Sequence, residues 1–297
     1  MPKNAYQMAN GMSTDWVIRI MQPGDLAFAA ACTQAEGWAS EDFTTLQGFH
    51  LVDPGGCLLA EVDGEPAGIC IATHYGESGF IGELIVRPQH RGLGLGAALL
   101  DEGVRRLQAR GARTIYLDGV LKAVGLYERH GFRKLSRSWR FSGRLPASPQ
   151  PQIFPMQSHH LPAVFALDRQ AFGADRSFFL GRRWSLFPEL AWVLLEDDGQ
   201  LAGCILGRRG PGWLSAGPWV VLPHVPAPQR LLLSLAQAAG ATPLSLGVLD
   251  LNQPACTLLG SLGFTPRPDS PWRMALGPDS SLGASSLCYA VGSAAKG

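Results

Sequence analysis

VRPQHRGLGLGAALL, residues 86–100, reads as the end of a strand, a glycine loop and the start of a helix in immediate succession. Leu84-Ile85-Val86 closes a buried apolar run, Pro88 sets a turn, and Gly92, Gly94 and Gly96 open the loop. Leu99, Leu100, Val104 and Leu107 then recur at helical spacing. Glycine at alternate positions removes the Cβ atoms that would hold a ligand off the backbone, and the first N–H groups of a helix have no partner within it. With the positive end of the helix dipole, those donors form a pocket for phosphate oxygens. Two nucleotide loops are excluded by the residues themselves. A Walker loop needs Gly-Lys-Ser/Thr, and Gly94 is followed by Leu95-Gly96-Ala97. A dinucleotide fold wants its glycines in a first βα turn, whereas strands and a hairpin precede this loop.

Upstream, Val17-Ile18-Arg19-Ile20 reads as a first strand, with Asp25 placed to cap a helix over Leu26 to Ala35. A second helix is expected over Ser40 to His50, with Ser40, Glu41 and Asp42 at its N-terminus. Residues 57–61 and 67–72 are strands joined through Asp63-Gly64, a hairpin signal, and residues 79–86 feed the glycine loop. Beyond the helix come a strand at residues 114–118, a helix from Leu121 to His130 and a strand from Phe132 to Phe141. The order is that of an α+β fold with a mixed sheet.

Arg91-Gly92-Leu93-Gly94-Leu95-Gly96 resembles the R/Q-x-x-G-x-G/A pyrophosphate loop of the GNAT N-acetyltransferase superfamily. Leu126-Tyr127-Glu128-Arg129-His130-Gly131-Phe132 resembles its LYxxxGF segment. The resemblance implies acetyl-CoA as co-substrate, with its amides on the strand edge at Ile85 and Val86 and its pyrophosphate on Arg91, Gly92, Leu93, Gly94, Leu95 and Gly96. The edge is expected to be exposed where this strand splays from the one at residues 114–118.

The second half repeats the first. Met21-Gln22 recurs as Met156-Gln157, Asp63-Gly64 as Asp198-Gly199 and Val86-x-Pro88 as Val221-x-Pro223, all offset by 135 (156 less 21, 198 less 63, 221 less 86). Such register marks an internal duplication. In the second copy His224-Val225-Pro226-Ala227-Pro228-Gln229 replaces the glycine loop, and Leu259 stands for Tyr127. Proline lacks the N–H that a phosphate needs, and its ring fills the space glycine leaves free. The chain is therefore expected to hold a flexible tail (1–16), a catalytic domain (17–143), a proline-rich linker (144–152) and a degenerate second domain (153–297). It is similar to the YitH-like tandem proteins of the superfamily, through Ala35-Glu36-Gly37-Trp38, Leu117-Asp118-Gly119-Val120, Phe172-Gly173-Ala174-Asp175-Arg176 and Cys288-Tyr289-Ala290.

At 297 residues and 46% hydrophobic composition the chain is long enough for two cores. A net charge of +1 advertises no basic face to nucleic acid or anionic lipid. The six cysteines lie apart, in apolar runs and without C-x-x-C, as in a reduced cytoplasmic protein, and imply no metal site. No leader or membrane span is read in the sequence. The expected partner is a small-molecule amine, with the protein a monomer or homodimer.

Acetyl transfer to an amine needs a base for the amine's proton and an acid for the departing thiolate. Glu83, on the strand before the loop, is the candidate base, or else a solvated acid. Tyr127 matches the family's thiolate-protonating tyrosine, or else is a core aromatic. For the acceptor, Asp118 either orients the amine or belongs to an Asp-Gly turn, Glu36 is a plausible amine anchor, and Trp38 packs or recognises. His159-His160 reads as a cap or as exposed, and Asp175-Arg176 as an ion pair. Three functions stay open: N-acetylation of a small amine, acetylation of a protein lysine or N-terminus, and non-catalytic acyl-CoA binding.

Overall fold

A computed structural model describes residues 4–7, 13–38, 42–146, 148, 150–240, 242–278 and 281–297. The chain divides into two compact units, Met1–Leu117 with Lys296, and Asp118–Ala295 with Gly297. Among the described residues no helix is long and apolar enough to cross a membrane.

The first unit begins with strands β1 (Asn4–Gln7) and β2 (Ser13–Ile20), which pair antiparallel, so part of the expected flexible tail forms a hairpin with the first strand. Helices α1 (Leu26–Ala35) and α2 (Phe43–Val52) follow. Asp25 precedes α1 without capping it, because its carboxylate takes the Gln22 N–H at 2.6 Å and the Arg19 guanidinium at 2.6 Å. The cap of α2 is Asp42, accepting from the Thr45 N–H at 2.8 Å; Ser40 and Glu41 lie outside the described residues.

Strands β3 (Cys57–Val62), β4 (Glu65–Tyr75) and β5 (Ser78–Val86) extend the antiparallel run. The β3–β4 turn uses Asp63 and Gly64 at φ 51° and 85°, the left-handed pair expected of Asp-Gly. Helix α3 (Leu95–Ala109) carries the chain to β6 (Thr114–Gly119), which lies parallel to β5. Leu99, Leu100 and Leu107 of α3 are fully buried, each contributing roughly 1.5–3 kcal/mol. Gly103 lets α3 sit close to the sheet, since a Cβ there would lie 2.9 Å from Ile81 Cδ1.

The second unit opens at Asp118 and contains α4 (Val124–Arg129), β7 (Arg133–Gly143), β8 (Ile153–Pro155), α5 (Leu161–Phe172), α6 (Ser177–Leu186), β9 (Ala191–Leu195), β10 (Leu201–Gly210) and β11 (Trp213–Val221). Helix α7 (Gln229–Ala239), β12 (Leu244–Leu249), α8 (Gln253–Ser261), β13 (Thr265–Pro266), β14 (Trp272–Leu276) and β15 (Cys288–Ala290) complete it. Its β9–β10–β11 meander and the parallel β11–β12 pair repeat β3–β4–β5 and β5–β6. The repeat extends to the caps: Gln157 N–H donates to His160 Nδ1 at 2.9 Å as Gln22 N–H does to Asp25, so His160 is a cap.

One strand does not follow the duplication. β7, the last strand of the first copy, pairs antiparallel with β12 over Ser138–Gly143 and with β14 over Arg133–Arg137, both strands of the second copy. The compact units accordingly divide at Leu117/Asp118, ahead of the proline-rich stretch at which the sequence places its linker. Arg176 and Asp175 also pair away from each other. Arg176 makes a buried bidentate pair with Asp168 at 2.8 Å, and Asp175 pairs with Arg169 at 2.7 Å.

Candidate functional site

Gly92 and Gly94 adopt φ of 85° and 81°, a left-handed backbone that other residues resist, and a Cβ on either would meet nothing within 4 Å. The two glycines thus line open space. The first bond into α3 is Ala98 N–H to Gly94 C=O at 3.1 Å, so the N–H groups of Leu95, Gly96 and Ala97 leave the helix end without a partner inside it. Arg91's own N–H is engaged at 3.2 Å by Pro88 C=O, which removes it from the expected donor set and moves that set one residue onward. Alternating left-handed glycines that run into a helix N-terminus fit a diphosphate.

The strand before the loop has the expected splay. Parallel pairing of β5 with β6 runs over Ser78–Ile81 opposite Thr114–Leu117 and, among the described residues, goes no further. On its other side β5 stays paired with β4 through Gly68 opposite Val86 and Ile69 opposite Ile85. Ile85 and Val86 therefore lie beyond the last paired residue on the β6 side. A glycine at 68 is required there, because its Cβ would lie 2.8 Å from Ile85 O.

Glu83 lies at the break in register of β5, where Ile69 opposes Ile85 but Ile71 opposes Gly82. It is 5% exposed, with φ 47°, so the bulge holds a carboxylate inside the sheet on left-handed backbone. A solvated acid is excluded by this burial. Burial, followed by the neighbouring Cys57 and Glu83, pushes up the thiol of Cys70 opposite the bulge.

Arg91 is occupied by this unit. Its Nε donates to Val86 C=O at 2.9 Å, and its guanidinium pairs with Glu36 at the end of α1. Glu36 is therefore no free-standing amine anchor; it braces the loop arginine against α1. Trp38 is half-buried, and its N–H bonds to Thr33 C=O at 2.8 Å, closing the turn after α1.

Asp118 and Tyr127 belong to the second unit. The Asp118 carboxylate is completely buried, with Arg273 Nε at 2.6 Å, an Arg140 terminal nitrogen at 2.6 Å and Ser138 Oγ at 2.9 Å. Burial alone would raise its pKa, but the two guanidiniums outweigh it and hold the carboxyl below the usual range. Asp118 is thus neither an exposed turn residue nor an amine anchor. It joins a strand to two arginines, one of them 155 residues away, and nothing local in the sequence signals that partner. Tyr127 is 6% exposed, with its ring edge-on to Phe132 at 6.2 Å between centroids, and a Cβ at position 119 would lie 3.0 Å from that ring.

In the second copy the replacements behave as their chemistry requires. Pro228 occupies the N-cap of α7, and Leu259 is fully buried in the apolar core at Tyr127's counterpart. Nothing in the sequence reading points to the pairing of β15, near the end of the chain, with β11.

This architecture is a mixed-sheet α+β fold built twice. Residues 25–132 match the Acetyltransferase (GNAT) family and residues 164–290 match an Acetyltransferase (GNAT) domain. The chain belongs to the GNAT acetyltransferase family. It is 34% identical over 136 residues to a mycothiol acetyltransferase of Stackebrandtia nassauensis, a match covering 43% of this chain and 44% of that protein. The chain thus matches less than half the length of that relative. A thialysine N-epsilon-acetyltransferase of Sus scrofa is 31% identical over 131 residues, 37% of this chain and 71% of its own length. Among solved structures, a putative acetyltransferase from Pyrococcus horikoshii superposes with a TM-score of 0.79 at 23% identity, covering 95% of this chain and 96% of its own. A tandem GNAT protein from the clavulanic acid biosynthesis pathway gives 0.61 at 13% identity, covering 90% of this chain and 100% of its own.

Proposed function

We propose that the chain is an acetyl-CoA-dependent N-acetyltransferase whose first copy carries the chemistry, with the amine of a small molecule as acceptor. The observation that carries this reading is the pair of left-handed glycines, Gly92 and Gly94, opening onto empty space at the N-terminus of α3. Next to them β5 continues beyond its ladder with β6. The small acceptor is supported by relatives named for mycothiol and thialysine. Cytoplasmic location and one acetyl-CoA per chain belong to the same proposal, since Pro226 and Pro228 deprive the second copy of donors.

In this reading the N–H groups from Gly92 to Ala97 hold the pyrophosphate, and the edge at Ile85 and Val86 pairs with the amides of the arm. Acetyl-CoA supplies a thioester carbonyl for attack. Glu83, buried in the bulge of β5, takes the proton from the attacking nitrogen. Tyr127 gives its hydroxyl proton to the departing sulfur, a role carried by the Leu126-Tyr127 to Gly131-Phe132 pattern. Arg91 and Glu36 brace the loop, and the Asp118–Arg140–Arg273 cluster is structural.

A thiol-release assay over a panel of small amines, with lysine peptides and protein N-termini alongside, tests the proposal. Turnover with a small amine is expected. Turnover confined to peptides would move the acceptor to protein, and acetyl-CoA binding without release for any acceptor would leave a binding module.

A further inference from the structure

The strand edge proposed to take the cofactor in the first copy has a counterpart in the second, and there the place is filled by the chain itself. At the common offset, Leu84, Ile85 and Val86 of β5 correspond to Trp219, Val220 and Val221 of β11. Both strands have a register break toward their antiparallel neighbour, at Ile69/Ile71 and at Ile205/Gly207. Both have a short parallel ladder on the other side, which for β11 covers Leu214 and Ser215 opposite Leu244 and Ser245.

Beyond that ladder β15 enters. Trp219 lies opposite Ala290 and Val220 opposite Cys288, and Val221 N–H donates to Leu287 C=O at 3.0 Å. On the far side Val291 N–H donates to Gly247 C=O of β12 at 2.8 Å. The segment Leu287–Val291 therefore bonds to both strands that diverge around it.

The surroundings are shaped to this occupant. Asn252 Nδ2 donates to the carbonyls of Ser286 and Cys288, each at 3.1 Å, while its Oδ1 accepts the Ala255 N–H and caps α8. An Arg183 terminal nitrogen donates to Gly292 C=O at 3.1 Å. A Cβ at Gly217 would lie 2.3 Å from Val291 O, so that position needs glycine for the segment to fit, and one at Gly247 would press on the Val291 side chain at 2.7 Å from its Cγ2. Leu287, Cys288, Ala290 and Val291 are all buried.

We propose that the second copy has kept its strand-edge groove as a binding site for an extended peptide, and that the resident ligand is the chain's own Leu287–Val291. Alternating amide N–H and C=O groups on that segment stand where the first copy is proposed to bind the amide-bearing arm of acetyl-CoA. The comparison of the two grooves rests on the proposed function; the occupancy of the second does not. The groove reads backbone through β11, β12 and Asn252, and selects small or apolar side chains by burial.

Cys288 reports the segment's release in the intact protein. Burial pushes its thiol up to about 11, so alkylation is slow while the strand is seated. Asn252→Asp keeps an N-cap acceptor for α8 but loses both bonds donated to the segment. Alkylation at Cys288, followed site by site by mass spectrometry, is expected to rise roughly 10- to 100-fold in this variant, given two lost buried bonds. Buried Cys70, in the first unit, should keep its wild-type rate. In the wild type, excess synthetic peptide of residues 285–293 with serine at 288 should raise Cys288 labelling saturably by competing for the groove. An unchanged Cys288 rate in Asn252→Asp, a parallel rise at Cys70, or a peptide without effect would each overturn the proposal. Calorimetry with acetyl-CoA on the same samples separates the two readings. Loss of all acetyl-CoA binding in the wild type would defeat the proposed function and leave the labelling result standing.

Discussion

Gly94→Ala with Gly111→Ala as its control separates ligand exclusion from backbone strain. Gly94, at φ 81°, begins α3, and Gly111, at φ 95°, follows its other end; a Cβ on either would meet nothing within 4 Å. Neither substitution creates a clash in the free protein, and each places alanine on left-handed backbone at a cost of about 1–2 kcal/mol. Gly111 completes a glycine cap, its N–H bonded to Gln108 C=O and that of Ala112 to Leu107 C=O, so the two losses should be similar in a melt. They should differ for acetyl-CoA. A methyl group at 94 enters the space assigned to the pyrophosphate and costs at least one charge-assisted hydrogen bond, about 1.5–3 kcal/mol, or roughly 10- to 100-fold in Kd. Calorimetry should show that loss for Gly94→Ala and wild-type affinity for Gly111→Ala. Equal affinities in the two variants would refute the assignment of the loop, whatever their stabilities.

Asp118→Asn removes the carboxylate that Arg140 and Arg273 share and should cost roughly 3–5 kcal/mol in urea unfolding. Because the folded carboxyl lies below its ordinary value of 3.8, its stabilisation is complete above that value and is lost as pH falls through the lower folded value. The gap between wild type and variant should therefore be constant near neutrality and close only below about pH 4; a gap already closing at pH 6 would contradict the burial of this pair. Glu83→Gln should remove the acidic limb of the pH–rate profile, whereas Glu83→Gly should also gain about 1 kcal/mol of stability by relieving the left-handed bulge. Unchanged profiles in both would remove Glu83 from the chemistry. Tyr127→Phe should lower kcat with little change in acetyl-CoA affinity, since the hydroxyl is used only as the sulfur leaves; equal kcat would return Tyr127 to the core. A fragment ending at residue 149 should aggregate, because β7 loses both β12 and β14 and exposes two strand edges. A soluble, monomeric fragment would show β7 to be content without them.

Features carried by near neighbours can be read without a fold. The glycine loop, the Asp63-Gly64 turn, the ends of α1, the duplication and the loss of the second loop each depend on φ, on an N–H or on periodicity within a few residues. These constraints are local, and so they are legible without a fold. Glu83 was visible as an acid on a strand, but not its bulge, because a register break is a property of two strands and only the partner β4 reveals it. Asp118 obeys the same rule: an aspartate before glycine suggests a turn until Arg140 and Arg273 are brought against it. Tertiary structure alone decided that β7 should pair with strands of the second copy, and that Leu287–Val291 should lie in the second copy's groove. A strand edge offers the same N–H and C=O groups to any extended segment, so its partner is chosen by burial, by what remains unpaired and by glycines that clear the space, all set by residues far apart in the chain.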